Sequence, residues 1–368
     1  MHESALSLES FNYNLPPERI AQSPLPDRDA SRLLVLDREA DSISHCQFPD
    51  IQDYLRPGDV LVGNNSRVMP ARLYGKKSTG GQVELLLLEQ LDSGHWTALV
   101  GGRRITPGVT ITLLDLTGEE TDLRATVVAD HGGPQREIAF DQPIENHWQA
   151  LGHTPLPPYI HSQIDDGERY QTIYARPVGS AAAPTAGLHF SADLLLALRG
   201  MGVRFETVTL HVGLDTFKPV EEVDITDHTI HTEWMSLTAD SARVINQAKL
   251  AGNRIFAVGT TSVRVLETAA WRSAGEFGSL RTASQQQPPG FCPWKPVVAH
   301  EGRTDLYIYP GYHFRVVDGL ITNFHLPQST LMMLVGAFAG LDNIKRAYQE
   351  ALDQAYRFLS FGDAMLIL

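Results

Sequence analysis

Three histidines lie where proton-transfer chemistry could be done. In AAAPTAGLHF, His189 follows Pro184, Thr185, Ala186 and Gly187 and stands at the threshold of an apolar helix. In TVTLHVGLDTF, His211 and Gly213 follow a β-branched run, and in LITNFHLPQST, Asn323 and His325 precede a helical one. Imidazoles titrate near neutrality and can move a proton on or off a substrate. A lone histidine is more often structural, but three at equivalent strand-to-helix edges point to a site. A further feature, RIFAVG followed by Thr260, Thr261 and Ser262, sets Gly259 and a hydroxyl cluster at the start of a helix. Amides and hydroxyls there suit a carboxylate, phosphate or ribose, and plain N-capping explains them equally well. HTIHTEW places His228, His231 and Glu233 at HxxH spacing, from which a zinc-dependent hydrolase could be imagined. There is no HExxH motif, and histidine pairs three apart arise by chance in a chain with 14 histidines.

The elements that must position these residues fall into two textures. From 64 to 141 the chain reads as short β-branched runs (QVELLLLEQ, HWTALVG, VTITLLD, RATVVAD, EIAF) separated by turn residues. That spacing predicts an inserted antiparallel β-barrel or sandwich. Residues 1–63 and 142–368 alternate strand and helix: SADLLLALRG is a helix capped by Ser191, followed by the strand VRFETVTLHVG, a helix over LTADSARVINQAKLAG, the strand NRIFAVG and a helix over TTSVRVLETAAWR. YIYPG and HFRVVDGLITNF read as strands, and PQSTLMMLVGAFAG and NIKRAYQEALDQAYRFL as helices. This is the pattern of an α/β main domain with a largely parallel sheet, whose ligands bind beyond the carboxyl ends of the strands. The Gln/Pro/Gly-rich segment 273–303 reads as a long loop.

Composition narrows the class. With 368 residues, 43% hydrophobic and 20% charged, the chain is long enough for about two globular domains. Two cysteines without a CxxC give neither a zinc motif nor a disulfide framework. The longest apolar run, TLMMLVGAFAG, is too short to span a bilayer, and the first residues lack the apolar core of a signal peptide, so a cytoplasmic protein is expected. A net charge of −13 argues against a nucleic-acid partner unless a local basic patch serves. GxGxxG, GxxxxGK[ST] and GxSxG are all missing. The residues alone therefore indicate an α/β enzyme with a β insert that binds a small polar ligand.

YNLPPERIAQSPLPDRDASRLLVLDR, GDVLVGNNSRVMPARLYG, YQTIYA, AAAPTAGLHF, HVGLDTFKPV, AVGTTSVRVLETAA, TNFHLPQSTLMMLVGAFAG and YRFLSFGDAMLIL together resemble the S-adenosylmethionine:tRNA ribosyltransferase-isomerases of queuosine synthesis, the QueA family. The resemblance runs from Phe11 to Leu368 with the motifs in order. Departures are Asp215 in GLDTF, Val178 between Pro177 and Gly179, and a longer 273–303 loop. The resemblance implies an α/β domain carrying a β-barrel, and transfer of the ribosyl group of S-adenosylmethionine (AdoMet) to 7-aminomethyl-7-deazaguanine at the tRNA wobble position. The product is epoxyqueuosine, with adenine and methionine released. AdoMet is then a co-substrate, with no other cofactor or metal, tRNA is the partner, and a monomer is the working expectation. An AdoMet-dependent tRNA methyltransferase is the competing class.

That chemistry needs a base for the C5′ hydrogens beside the sulfonium and an acid for the leaving adenine. His189 is the first candidate, with His211 and His325 behind it. Thr260, Thr261 and Ser262 suit the methionine end or the ribose, and Pro184, Thr185, Ala186, Gly187, Gly213, Thr216, Gly259 and Asn323 are further candidates for binding AdoMet or the tRNA base. Arg264 could reach a carboxylate or pair with Glu267 at i,i+3. Glu233 could neighbour the sulfonium, and Trp234 could stack on adenine or serve as core. Asp27, Arg28 and Ser31 in PDRDASR could read the modified base, Asp27 pairing with its amine. For tRNA, Asn64, Asn65, Ser66 and Arg67 adjoin an excess of Arg67, Arg72, Lys76, Lys77, Arg103 and Arg104 over Glu84, Glu89 and Asp92. That excess marks phosphate contacts or an ordinary solvated face.

Overall fold

The computed structural model describes residues 6–92, 94–162, 164, 166–213, 220–287, 290 and 292–368. Thr216 and Asp215 lie outside the described residues. The chain forms two compact units: 1–67, 158–177 and 183–368 in the first, 68–157 and 178–182 in the second.

In the first unit, β1 (Arg32–Asp37) and β2 (Ser42–Gln47) form a hairpin, followed by β3 (Val60–Asn64). β4 (Arg67–Val68) is a short strand where the chain passes into the second unit. There β5 (Arg72–Lys77), β6 (Gln82–Asp92), β7 (His95–Gly101), β8 (Thr110–Leu114), β9 (Glu120–Asp130) and β10 (Gln135–Phe140) close an antiparallel barrel in the order β10-β7-β6-β5-β8-β9. Period-two alternation sends Val83, Leu85 and Leu87 of β6 and Trp96, Ala98 and Val100 of β7 into one core, as the sequence pattern requires. The unit reaches past the expected boundary of 141, because α1 (Trp148–Leu151) adds Leu151 to this core and His153 bridges to Arg72. β11 (Val178–Ser180) also belongs to it.

The first unit resumes with α2 (Ala192–Gly200), β12 (Arg204–Leu210), β13 (Glu233–Leu237), α3 (Ala239–Leu250), β14 (Ile255–Val258), α4 (Thr260–Ser273), β15 (His300–Thr304), β16 (Gly319–Asn323), α5 (Thr330–Ala339), α6 (Leu341–Asp353) and β17 (Ala364–Ile367). Ser191 Oγ accepts from Leu194 N–H, the expected cap of α2. Nine strands form one sheet in the order β15-β13-β12-β3-β14-β16-β17-β1-β2.

The sheet is mixed, where a largely parallel one was expected. β12, β3, β14 and β16 run parallel at its centre, and β17 turns antiparallel to β16 before pairing in parallel with β1. The β1–β2 hairpin and the β12–β13–β15 ladders are antiparallel. YIYPG and HFRVV form no strand, helix α6 stops at Asp353 before YRFL, and the segment taken for loop holds a 3-10 turn, Ala283–Gln285, and the start of β15. No described helix is long and apolar enough to cross a membrane.

The four central parallel strands matter most for function. Their register (Val208 beside Asn64, Gly63 beside Val258, Val258 beside Ile321) aligns their carboxyl ends along one sheet edge. His211, Ser66, Gly259–Ser262 and Asn323 all leave the sheet there.

Candidate active site along the carboxyl edge

At the β16 end, the 3-10 turn Thr185–His189 carries His189 to the edge. Gly187 is required by a close approach within the protein: a Cβ there would lie 2.2 Å from Tyr174 Oη and 2.8 Å from Thr172 Cγ2. Pro184, Ala186 and Gly187 are buried and face the protein, not an open cleft. Asn323 fixes the state of His189. Its Oδ1 accepts from Thr185 Oγ1 (3.1 Å), while its Nδ2 donates to Leu359 O (3.0 Å) and lies 3.1 Å from His189 Nε2. Nε2 is therefore the acceptor, and the ring proton sits on Nδ1, 2.8 Å from Ser31 Oγ. Burial, reinforced by Arg357, pushes the imidazole down to about 4, so it is neutral at pH 7.

Ser31 and His189 line a small pocket with Asp27, Arg28, Arg169 and Ser360. Arg28 donates to Glu168 O, and Arg169 clamps the carbonyls of Pro26 and Leu25 (2.6 Å each). Arg169 and the Ser360–Gly362 wall were missed in the sequence. Their signal was available, since Ser360 lies in YRFLSFGDAMLIL and Arg169 immediately precedes YQTIYA.

His325, also buried, is held by Thr322 Oγ1 at 2.7 Å, and burial pushes it down to about 3. Its backbone binds Tyr13 and Tyr348 within an aromatic cluster that includes Phe324 and Phe358. It takes no part in the pocket of Ser31 and His189 and supports the fold.

At the β12 end, His211 is only half-buried. Its Nδ1 lies 2.7 Å from Ser66 Oγ, and its ring stacks on Trp234 at 4.9 Å and 18°. Burial lowers its pKa. Nε2 has no hydrogen-bond partner among the described residues. Beneath it, Glu233 forms a buried ion pair with Arg264, accepts the Gly213 amide (2.9 Å) and meets His231 Nε2 at 3.0 Å. Burial alone would raise this carboxyl, but Arg264, then His231 and the amide, push it down to about 2. Arg264 thus pairs with Glu233 and not with Glu267, whose carboxylate instead accepts the amides of Arg315, Val316 and Val317.

Between these ends, Gly259 adopts φ +87°, which lets the chain turn from β14 directly into α4. Ser262 Oγ donates back to Val258 O (2.8 Å), Thr260 is buried, and Thr261 Oγ1 is buried without a partner. Asn64 and Asn65 are spent on the β3–β12 junction, binding the Leu210 backbone and the hydroxyls of Thr207 and Thr209. The HxxH histidines go to different carboxylates, His228 to Glu222 and His231 to Glu233, and no group of three or more potential metal ligands occurs among the described residues. Of the expected basic patch, Arg67 pairs with Glu168, Arg72 with Glu84 and Lys76 with Glu120. Lys77, whose ammonium meets the Arg103 carbonyl at 2.6 Å, remains on the barrel with exposed Arg103 and Arg104.

An α/β domain with a polar carboxyl edge and a separate closed barrel is thus the architecture of this chain. The chain belongs to the queuosine biosynthesis protein family, whose model matches residues 8–367. It is 51% identical over 367 residues to the S-adenosylmethionine:tRNA ribosyltransferase-isomerase of Symbiobacterium thermophilum, covering 99% of this chain and 100% of the relative. The enzyme of the same name from Staphylococcus haemolyticus is 46% identical over 366 residues, with 99% and 100% covered. The crystal structure of S-adenosylmethionine tRNA ribosyltransferase from Thermotoga maritima matches with a TM-score of 0.52 at 36% identity, covering 98% of this chain and 100% of that one.

Proposed function

We propose that this chain is a cytoplasmic S-adenosylmethionine:tRNA ribosyltransferase-isomerase. It transfers and isomerises the ribosyl moiety of AdoMet onto 7-aminomethyl-7-deazaguanine at the tRNA wobble position, giving epoxyqueuosine, adenine and methionine. The observation that carries this reading is end-to-end similarity, at up to 51% identity, to enzymes of that name.

The reaction starts where the sulfonium acidifies the C5′ hydrogens. A base removes one, and the resulting ylide expels adenine. The geometry favours His211 for this step over His189. In the tautomer whose Nδ1–H donates to Ser66 Oγ, His211 Nε2 carries a lone pair that no described side chain occupies. The lowered pKa keeps that ring neutral near pH 7, and the Trp234 stack fixes its plane. His189 Nε2 already accepts from Asn323, so His189 is a positioning residue for Ser31. The Glu233–Arg264 pair holds the Gly213 amide, two residues after His211. Lys77, Arg103 and Arg104 offer cations to tRNA phosphates, and neutralising any one of them should lower the salt slope of binding by about one.

The test is to mix the protein with AdoMet and tRNA bearing the aminomethyl base. Free adenine is expected. S-Adenosylhomocysteine without adenine would identify a methyltransferase and overturn the reading.

A further inference from the structure

The pocket at Ser31 presents donors and one acceptor in a distinctive set. Because His189 Nδ1–H donates to Ser31 Oγ, the Ser31 proton is left to be given elsewhere. Arg28 and Arg169 line the same pocket, and Arg28 Nη1 and Arg169 Nε are buried with no hydrogen-bond partner. The two guanidiniums are close enough that, after burial, Arg169 is the main cause lowering the pKa of Arg28. Of the carboxylates acting on Arg28, Asp166 and then Glu168 favour its charged form, and Glu168 is mostly exposed and already paired with Arg67. Two crowded cations with unfilled donors, beside a free hydroxyl proton, call for an oxyanion. The exposed carboxylate of Asp27 lies on the same pocket. It would repel a phosphodiester but would pair with an ammonium. An oxyanion and an ammonium on the walls of one pocket describe an α-amino acid zwitterion.

Resting on the ribosyltransferase reading, we propose that the Ser31–Arg28–Arg169–Asp27 pocket holds the methionine end of AdoMet: its carboxylate on the two guanidiniums and the Ser31 hydroxyl, its ammonium on Asp27. This moves the amino acid away from Arg264 and Ser262, whose side chains are committed to Glu233 and to Val258 O. It also gives PDRDASR a small-molecule role in place of reading the nucleobase.

The test compares AdoMet with its decarboxylated form, which keeps the sulfonium, the ribose and the amine. Adenine release is followed at saturating aminomethyl-tRNA. The native enzyme should prefer AdoMet in kcat/KM by about tenfold to a hundredfold, the range of charged hydrogen bonds. Arg28→Gln should bring that preference close to one, and Arg28→Lys should restore part of it. Asp27→Asn, at an exposed position, should weaken both compounds alike. An unchanged preference in Arg28→Gln overturns the assignment, as does a rise confined to the KM for tRNA, which would mark a phosphate site. Failure of the native enzyme to release adenine from AdoMet would overturn the ribosyltransferase reading instead.

Discussion

At the β16 end of the sheet edge, His189 is 4% exposed, with both ring nitrogens engaged by Ser31 and Asn323. At the β12 end, His211 is half-buried and, among the described residues, bonded through Nδ1 alone. The first region is held by neutral hydrogen bonds that fix a tautomer. The second is held by a buried ion pair that leaves an imidazole edge open. Both are histidines brought to the same sheet edge, so residue type does not predict which ring does chemistry. What separates them is whether a lone pair remains after the protein has satisfied its own groups.

The sharpest way to break this contrast is His211→Ala. Loss of a positioned general base costs about 10²–10⁴ in rate, and we expect adenine release to fall by that much while AdoMet still binds. In the native enzyme, kcat/KM should rise with pH through a value below 6.5 and level off by neutrality, since the neutral ring is the base. Near-normal release in His211→Ala would remove His211 from the reaction.

Next in size is Arg264→Ala. It leaves the buried Glu233 carboxylate without its guanidinium partner, beside His231 and the Gly213 amide, and breaking such a pair costs about 3–5 kcal/mol. Denaturant unfolding should show that loss, and Arg264→Lys should recover part of it. A change below about 1 kcal/mol would mean the ion pair does not hold the His211 region.

The His189 region should reveal itself through pH. Its imidazole, at about 4 in the fold, titrates near 6.5 when unfolded. Between those values the unfolded chain binds more protons, so the contribution is complete above 6.5 and is lost as pH falls towards 4. At pH 5 the loss is roughly 2 kcal/mol relative to neutrality. His189→Asn should be less sensitive to acid by that amount. Equal pH dependence of the two proteins would mean His189 is not buried as a neutral ring. The smallest effects belong to the serines. Ser66→Ala should slow adenine release by about tenfold through the loosened His211 ring, on the order of one hydrogen bond. Ser31→Ala should act mainly on the KM for AdoMet, and a reversal of these two patterns would exchange the roles of the regions.

Much of this was legible in the sequence because it is local. Period-two alternation revealed the barrel, Ser191 announced α2, and strand-to-helix junctions located the edge where Gly259 and Asn323 emerge, whereas His211, expected at another such junction, follows β12 on a chain that leads to β13. Non-local features were hidden. Glu233 and Arg264 are 31 residues apart, and only the β12–β13 ladder and α4 bring them together. β15 escaped because HEGRT has no apolar alternation and follows a Gln/Pro-rich segment. The apolar texture of YIYP and HFRVV reflects burial without strand pairing. In AAAPTAGLHF the reason for Gly187 is non-local too: Tyr174, thirteen residues earlier, lies against it.

The most direct measurement is single-turnover adenine release from AdoMet with aminomethyl-tRNA, run side by side on the native enzyme, His211→Ala and His189→Asn. The predicted result is stoichiometric adenine from the native enzyme, a rate lower by about a hundredfold or more for His211→Ala, and a rate within about tenfold of native for folded His189→Asn. An inactive His189→Asn beside a nearly native His211→Ala would contradict it.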